Sequence, residues 1–273
     1  MRTGNSVTLT DAYSNGILSK EIPTELGRLQ ALERMLDPVA HEVLGDLRPE
    51  PGWRCLDMGA GAGSIAYWLA ERCPSGRVVA ADIDPRHLDP GRAAPLEVAT
   101  VDLTREDFSR NSFDLVHTRA LLAHLPQRDE LVRKAVTWLR PGGHLVVGEF
   151  YILPLDDAHP ALRTGVRTLA QLMGEQGTDV YWARRVPALL KAAGLTGIQV
   201  RLTPLTIGIG EPVDEFWRRS FEQYLPILRR RGTVPGTTLD ELTKMLDDSS
   251  AADLCWFFVT ASGRAPEAPA RTS

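Results

Sequence analysis

A chain of 273 residues, 43% hydrophobic and 24% charged, is long enough to bury a substantial core as one elaborated domain or two small ones. Its 31 basic and 35 acidic residues leave a formal net charge of −4, which gives no electrostatic footprint for nucleic acid or an anionic membrane and directs attention to small-molecule partners. Cys55, Cys73 and Cys255 are too scattered for a disulfide framework or a zinc cluster; with no basic leader and no apolar run of ~18 residues, the chain is expected to be soluble, unexported and cytoplasmic.

Residues 1 to about 20 are polar and poorly periodic. Leu26, Leu29, Leu32, Met35 and Leu36 then recur at helical spacing, and Val39, Val43, Leu44 and Leu47 continue it beyond Pro38, so two helices are expected before the first strand. The text then alternates: a strand over 52–58, a helix over 62–73, strands over 77–83, 96–101 and 113–118, a helix over 128–139 and a strand over 144–150, with a short helix at 86–92. Such alternation means a parallel sheet covered on both faces. Helices follow over 158–175 and 183–193, the second ended by Gly194 as an αL cap, then a strand over 196–204. Helices over 212–230 and 237–247, joined by the Gly232–Gly236 turn, precede a last strand over Leu254–Thr260. The Arg229–Arg231 run falls where it complements a helix dipole, and the Pro- and Ala-rich tail from Gly263 is expected to fray.

In Cys55-Leu56-Asp57-Met58-Gly59-Ala60-Gly61-Ala62-Gly63-Ser64 an apolar segment ends in an acid and a glycine-dense turn that opens an amphipathic stretch. That is a strand–turn–helix cradle for a nucleotide. Val78-Val79-Ala80-Ala81-Asp82 is a second apolar run ending in an acid, at the spacing of a ribose-hydroxyl acceptor. A dinucleotide fingerprint starting at Gly59 would need glycine or alanine where Ser64 stands; the third glycine falls one residue early, at Gly63. Asp57 would repel a pyrophosphate but can meet an ammonium group. An amino-acid-bearing nucleoside fits better.

On these residues the chain resembles the class I S-adenosylmethionine-dependent methyltransferases, in their small-molecule, natural-product branch. Val101-Asp102-Leu103 looks like the family's adenine-contacting loop, Ser112-Phe113-Asp114-Leu115-Val116-His117 like its fourth strand, and Leu139-Arg140-Pro141-Gly142-Gly143 like the turn into its fifth. The resemblance spans residues 52 to 150 and implies an α/β, Rossmann-like sheet in the order 3-2-1-4-5-7-6, its seventh strand antiparallel. It also implies S-adenosyl-L-methionine as cofactor and S-adenosyl-L-homocysteine as product. Around that core, residues 1–50 form an N-terminal helical cap, 51–262 the methyltransferase core with a helical lid inserted at 205–252, and 263–273 a flexible tail.

The cofactor-binding residues expected are Asp57, Gly59, Gly61 and Gly63 in the cradle, Asp82 for the ribose, Asp102 with Leu103 for the adenine, and Thr118 at the end of the fourth strand. Asp84 could compete with Asp82, although it is better placed to start the turn before Pro85. Tyr13 and Glu25-Leu26-Gly27-Arg28-Leu29 resemble a segment that precedes the core in many small-molecule methyltransferases; this implies Tyr13 as a lid and Arg28 as partner of the cofactor's carboxylate, a bidentate task suited to guanidinium. His124, less readily His117, and Glu149 are the candidate bases or acceptor anchors.

No metal is expected, since Glu149-Phe150-Tyr151 lacks the acid and Asn cluster of the metal-dependent branch. His117-Thr118-Arg119-Ala120 lacks the Asn/Asp-Pro-Pro-Tyr type of motif that nucleic-acid amino-methyltransferases carry. Tyr181, Trp182, Phe216, Trp217, Phe221 and Tyr224 suggest a flat or apolar substrate. The function expected is metal-independent methyl transfer to O, N or C of a small organic acceptor, by a monomer or homodimer. The alternatives are a non-catalytic cofactor-binding scaffold and an NAD-dependent dehydrogenase.

Overall fold

The computed structural model describes residues 19–232, 234–247 and 252–267. A long helix, α1 (Glu25–Asp46), leads into β1 (Arg54–Met58), α2 (Ser64–Arg72), β2 (Arg77–Asp82), β3 (Leu96–Thr100) and β4 (Phe113–Arg119). Then come α3 (Arg128–Trp138), β5 (Leu139–Ile152), α4 (Pro160–Glu175), α5 (Val186–Ala192), β6 (Thr196–Ile207), α6 (Val213–Arg231), α7 (Gly236–Asp247) and β7 (Asp253–Arg264). The seven strands form one sheet in the order β3-β2-β1-β4-β5-β7-β6. β1 to β5 pair in parallel, while β7 runs antiparallel to both β5 and β6.

β1, β2 and β4 are largely buried because both of their faces are covered. On one face Leu56, Val79, Val116 and Leu145 pack against α3 and α5 through Leu131, Trp138, Val186 and Leu190. On the other, Cys55, Val78, Leu115 and Val146 meet Ile65 and Leu69 of α2 and Leu44 of α1. A third cluster lies over the carboxyl ends of the strands, joining the first half of α1 to α4, α6 and α7 with Ile152, Ile207 and Trp256 from the sheet. These added elements form a roof.

Four local expectations are corrected. The two helices flanking Pro38 are a single helix, α1, with the proline on its exposed side. Its apolar stripe stays in register across the proline, from Leu32 and Leu36 to Ala40 and Leu44, and burial of both halves outweighs one lost hydrogen bond. Residues 86–92 form turns in place of a helix, as Pro85, Pro90 and Gly91 dictate. The helix expected over 183–193 divides into a 3-10 turn at Trp182–Arg185 and the short α5. The last strand does not stop at Thr260: Gly263 and Arg264 still pair with Leu145 and His144, and the Ala265 N–H donates to Gly143 O at 2.8 Å, so the chain at Gly263 is held by the sheet and does not fray there.

β6 is one of the sheet's two edge strands, opposite β3. Arg201 turns toward α1, where it pairs with Glu42 at 2.6 Å and Asp46 at 3.6 Å, and Val200 and Leu202 are exposed on the opposite face. Pro204 lies within the same strand. Among the described residues no helix is long and apolar enough to cross a membrane.

Candidate functional site

A cavity of about 280 Å³ opens at the carboxyl ends of β1, β2 and β4 and continues beneath α4 and α6. One end is walled by the β1–α2 turn. Gly59, Gly61 and Gly63 all take left-handed conformations, at φ 68°, 64° and 98°. A Cβ on Gly59 would stand 2.9 Å from the Leu121 side chain and one on Gly63 2.6 Å from the Tyr67 ring, so both backbone angle and space require glycine there. The turn is anchored by Gly59 and Ala60 N–H groups donating to Ala81 O at 2.8 and 3.1 Å.

Asp57, Asp82 and Asp102 face this end together. Asp57 Oδ1 lies 2.7 Å from His117 Nδ1, and both residues are buried. Asp82 accepts from the Gly61 N–H through Oδ2 at 2.8 Å and from the Asp84 N–H through Oδ1 at 2.9 Å. Lys20 Nζ stands 3.1 Å from the same Oδ1. Asp102 Oδ1 accepts from the Thr104 N–H at 3.0 Å and from its hydroxyl at 2.6 Å, closing the loop after β3. A wall so rich in acceptors suits a ligand that presents an ammonium, a diol and an exocyclic amine, all of them donors.

The N-terminus of α2, where a dinucleotide would place its pyrophosphate, is occupied by acid. The Ser64 N–H donates to Glu33 Oε1 of α1 at 3.0 Å, and the Ser64 hydroxyl donates to Asp37 Oδ1 at 2.8 Å. Arg119 donates to Asp37 at 2.7 Å and to the Ser64 hydroxyl at 3.1 Å. Burial pushes the Glu33 carboxyl up, opposed by the Ser64 amide. A phosphate entering here would meet a carboxylate instead of free amides.

The other end of the cavity is apolar. Leu169 and Met173 of α4 face Phe216, Trp217 and Tyr224 of α6, with Trp256 of β7 stacked on Trp217 at a centroid distance of 3.8 Å. Polar groups also sit in its walls. Arg28 is bound by Glu25 through Nε at 2.8 Å and Nη2 at 2.7 Å, a buried pair within one turn of α1. His124 Nδ1 lies 3.1 Å from the Thr178 hydroxyl; burial, then the Arg28 and Arg128 charges, push its pKa down to about 4, so the ring is neutral near pH 7. Glu149 Oε1 accepts from the Leu121 and Leu122 N–H groups at 3.0 and 2.6 Å, yet burial pushes its pKa up to about 7.

Residues 56–147 match the family described as a methyltransferase domain. Over those residues the chain carries a methyltransferase domain. Along the wider chain, phosphoethanolamine N-methyltransferase 1 of Arabidopsis thaliana is 24% identical over 163 residues, covering 58% of this chain and 31% of its own length. The methyltransferase str2 of Strobilurus tenacellus is 24% identical over 219 residues, 75% of this chain and 78% of that protein. A Haemonchus contortus phosphoethanolamine N-methyltransferase 2, solved with phosphomonomethylethanolamine and S-adenosylhomocysteine, superposes with a TM-score of 0.65 at 16% identity, over 96% of this chain and 61% of that one. That likeness is one of fold. The chain thus spans about a third of the plant relative and under two thirds of the nematode structure.

Arg28, Asp57, Gly59, Asp82, Asp102, Leu103, His124 and Glu149 come together along one cavity. Gly61 and Gly63 shape the turn behind it. Thr118 is not among the lining residues: side chains alternate along β4, so His117 reaches Asp57 while Thr118 is fully buried with its hydroxyl unpartnered. Asp84 holds a turn, accepting from Arg86 N–H and Nε at 3.3 and 3.0 Å, which leaves Asp82 as the carboxylate facing the cavity. Tyr13 lies outside the described residues. Sequence reasoning missed Lys20, Glu33, Asp37 and Arg119. The available signal was Glu33 and Asp37 standing four residues apart on a helix otherwise read for its leucines, but their partners are 27 to 82 residues distant.

Proposed function

We propose that this chain transfers a methyl group from S-adenosylmethionine to a small, flat, uncharged organic acceptor, at oxygen, nitrogen or carbon, without a metal ion. The observation that carries the reading is the continuity of the cavity, from the acceptor-rich wall of Asp57, Asp82 and Asp102 to the aromatic chamber under α6. A non-catalytic scaffold has no need of that chamber, and Glu33 at the α2 N-terminus weighs against a dinucleotide. Among the described residues no three His, Cys, Asp or Glu side chains gather as a metal site. The three cysteines are free and buried.

When bound, the cofactor would supply a methyl group already activated by its sulfonium. The chain's own work is then alignment and exclusion of water, and holding two reactants at near-attack distance can contribute several kcal/mol. Trp217, Phe216 and Met173 would clamp a planar acceptor by its faces. His124, neutral and oriented by Thr178, offers a weakly basic site for an acceptor's proton. The lining cations are matched by acids, Arg28 with Glu25 and Arg119 with Asp37, so a phosphorylated acceptor meets charge that is already compensated. This sets the acceptor apart from the phosphobase named for the nematode structure.

Calorimetry with S-adenosylhomocysteine and with NAD tests the cofactor: binding of the first alone is expected, and NAD binding at similar strength overturns the reading. Labelled methyl transfer to 1-naphthol and to phosphoethanolamine tests the acceptor. Label on the naphthol is expected; label on phosphoethanolamine alone overturns the uncharged class.

A further inference from the structure

The N-terminal segment reaches the nucleotide end of the cavity through one buried cation. Lys20 lies five residues ahead of α1, its side chain only 2% exposed. Its ammonium donates to Asp84 O at 2.6 Å and Gly61 O at 3.2 Å and stands 3.1 Å from Asp82 Oδ1. An ammonium has three N–H donors, and these three oxygens satisfy all of them, which makes its burial tolerable. The three come from the glycine turn, the end of β2 and the residue pair after it, all 41 or more positions away. The neighbouring Arg86 reinforces the attachment, donating to Lys20 O at 3.2 Å and pairing with both Glu21 and Asp84.

We propose that Lys20 is a positioning residue for the cofactor's ribose, holding Asp82 and the Gly61 turn in the geometry that receives it. Asp82 lines the cavity and Lys20 does not, so the lysine acts from behind the carboxylate. Two backbone amides and the ammonium fix the carboxylate's plane: Gly61 N–H on Oδ2, Asp84 N–H and Lys20 on Oδ1. Without the ammonium, the Asp84 and Gly61 carbonyls lose this donor and Asp82 Oδ1 is left with the Asp84 N–H alone, so the carboxylate is held by two donors in place of three. Lys20 also joins the cap to the core, so the ribose acceptor is aligned only when the segment before α1 is seated.

The inference rests on the cofactor reading above, and a double-mutant cycle separates the two. S-adenosylhomocysteine affinity is measured by calorimetry on the full chain for wild type, Lys20→Met, Asp82→Asn and the double variant, with melting temperature as a check on folding. Lys20→Met is expected to weaken binding about tenfold in the wild-type background and to add nothing in the Asp82→Asn background, and Lys20→Arg to recover most of the loss. Wild-type affinity in Lys20→Met overturns the proposal, as does a tenfold loss that persists in Asp82→Asn. If Lys20→Met melts too low to assay, the same comparison is made with Lys20→Gln. A wild-type chain that is folded and binds no S-adenosylhomocysteine overturns the cofactor reading itself.

Discussion

Glu149 and His124 sit in the same cavity, and burial displaces their titrations in opposite directions. The Glu149 carboxyl is raised from 4.5 to about 7, so the folded protein retains a proton that the unfolded chain releases. Between those values stability falls as pH rises, and the cost, roughly 3 kcal/mol, is fully present above pH 7. The His124 ring is lowered from 6.5 to about 4, so the fold excludes a proton that the unfolded chain binds, and stability falls as pH drops through that window. In the wild type these slopes oppose each other between about pH 4.5 and 6.5. Glu149→Gln keeps an acceptor for the Leu121 and Leu122 amides without the charge, so it should melt higher than wild type at pH 8, match it near pH 4.5, and lose stability more steeply on acidification. Thermal unfolding from pH 4.5 to 8 checks this; a wild type that outmelts the variant at pH 8 would show that the two amides outweigh the desolvation of the charge.

At the scale of elements, α1 carries its own defect. Pro38 is exposed within the helix and cannot donate to the carbonyl four residues earlier. Its ring is exposed, so Pro38→Ala should raise stability by about 1–3 kcal/mol, seen as a higher melting temperature. Unchanged or lower melting would mean that the proline helps to seat Glu33 and Asp37 on α2. The same helix marks the limit of what could be read in the text. Strands buried on both faces announce themselves, and so do glycines that precede a helix; β1, β2 and β4 and the acids Asp57, Asp82 and Asp102 were legible for that reason. Whether Pro38 ends a helix depends on what packs on either side of it, and how far β5 and β7 extend depends on each other's pairing. Lys20 and Glu33 were invisible because each finds its partners in distant elements, and an isolated Lys or Glu on polar text carries no sign of burial.

On the scale of the whole molecule, the roof has a core separate from the two that flank the sheet. Leu36, Leu162, Phe221 and Leu242 pack with one another and with the ends of β5 and β7, and the sheet's own clusters do not depend on them. An acceptor can therefore enter by partial opening of α4 and α6 while the strands stay formed. Native-state hydrogen exchange should show amides of α4 and α6 exchanging through openings of lower free energy than those of β1 and β4, and 1-naphthol with S-adenosylhomocysteine should slow the former selectively. Uniform exchange across roof and sheet would mean that the molecule opens only by unfolding. The sheet's outer border has a different bearing, on behaviour at high concentration. β6 is twelve residues long with no further strand beside it, and exposed Val200 and Leu202 make it the kind of border that recruits another chain. Arg201, with Glu42 and Asp46 beside it, sets charge along that border, and Pro204 withholds one donor from any incoming ladder. Resistance to edge-to-edge aggregation thus rests on two side chains far from the cavity, and a sequence optimised around the cavity alone could lose them without any change in its chemistry.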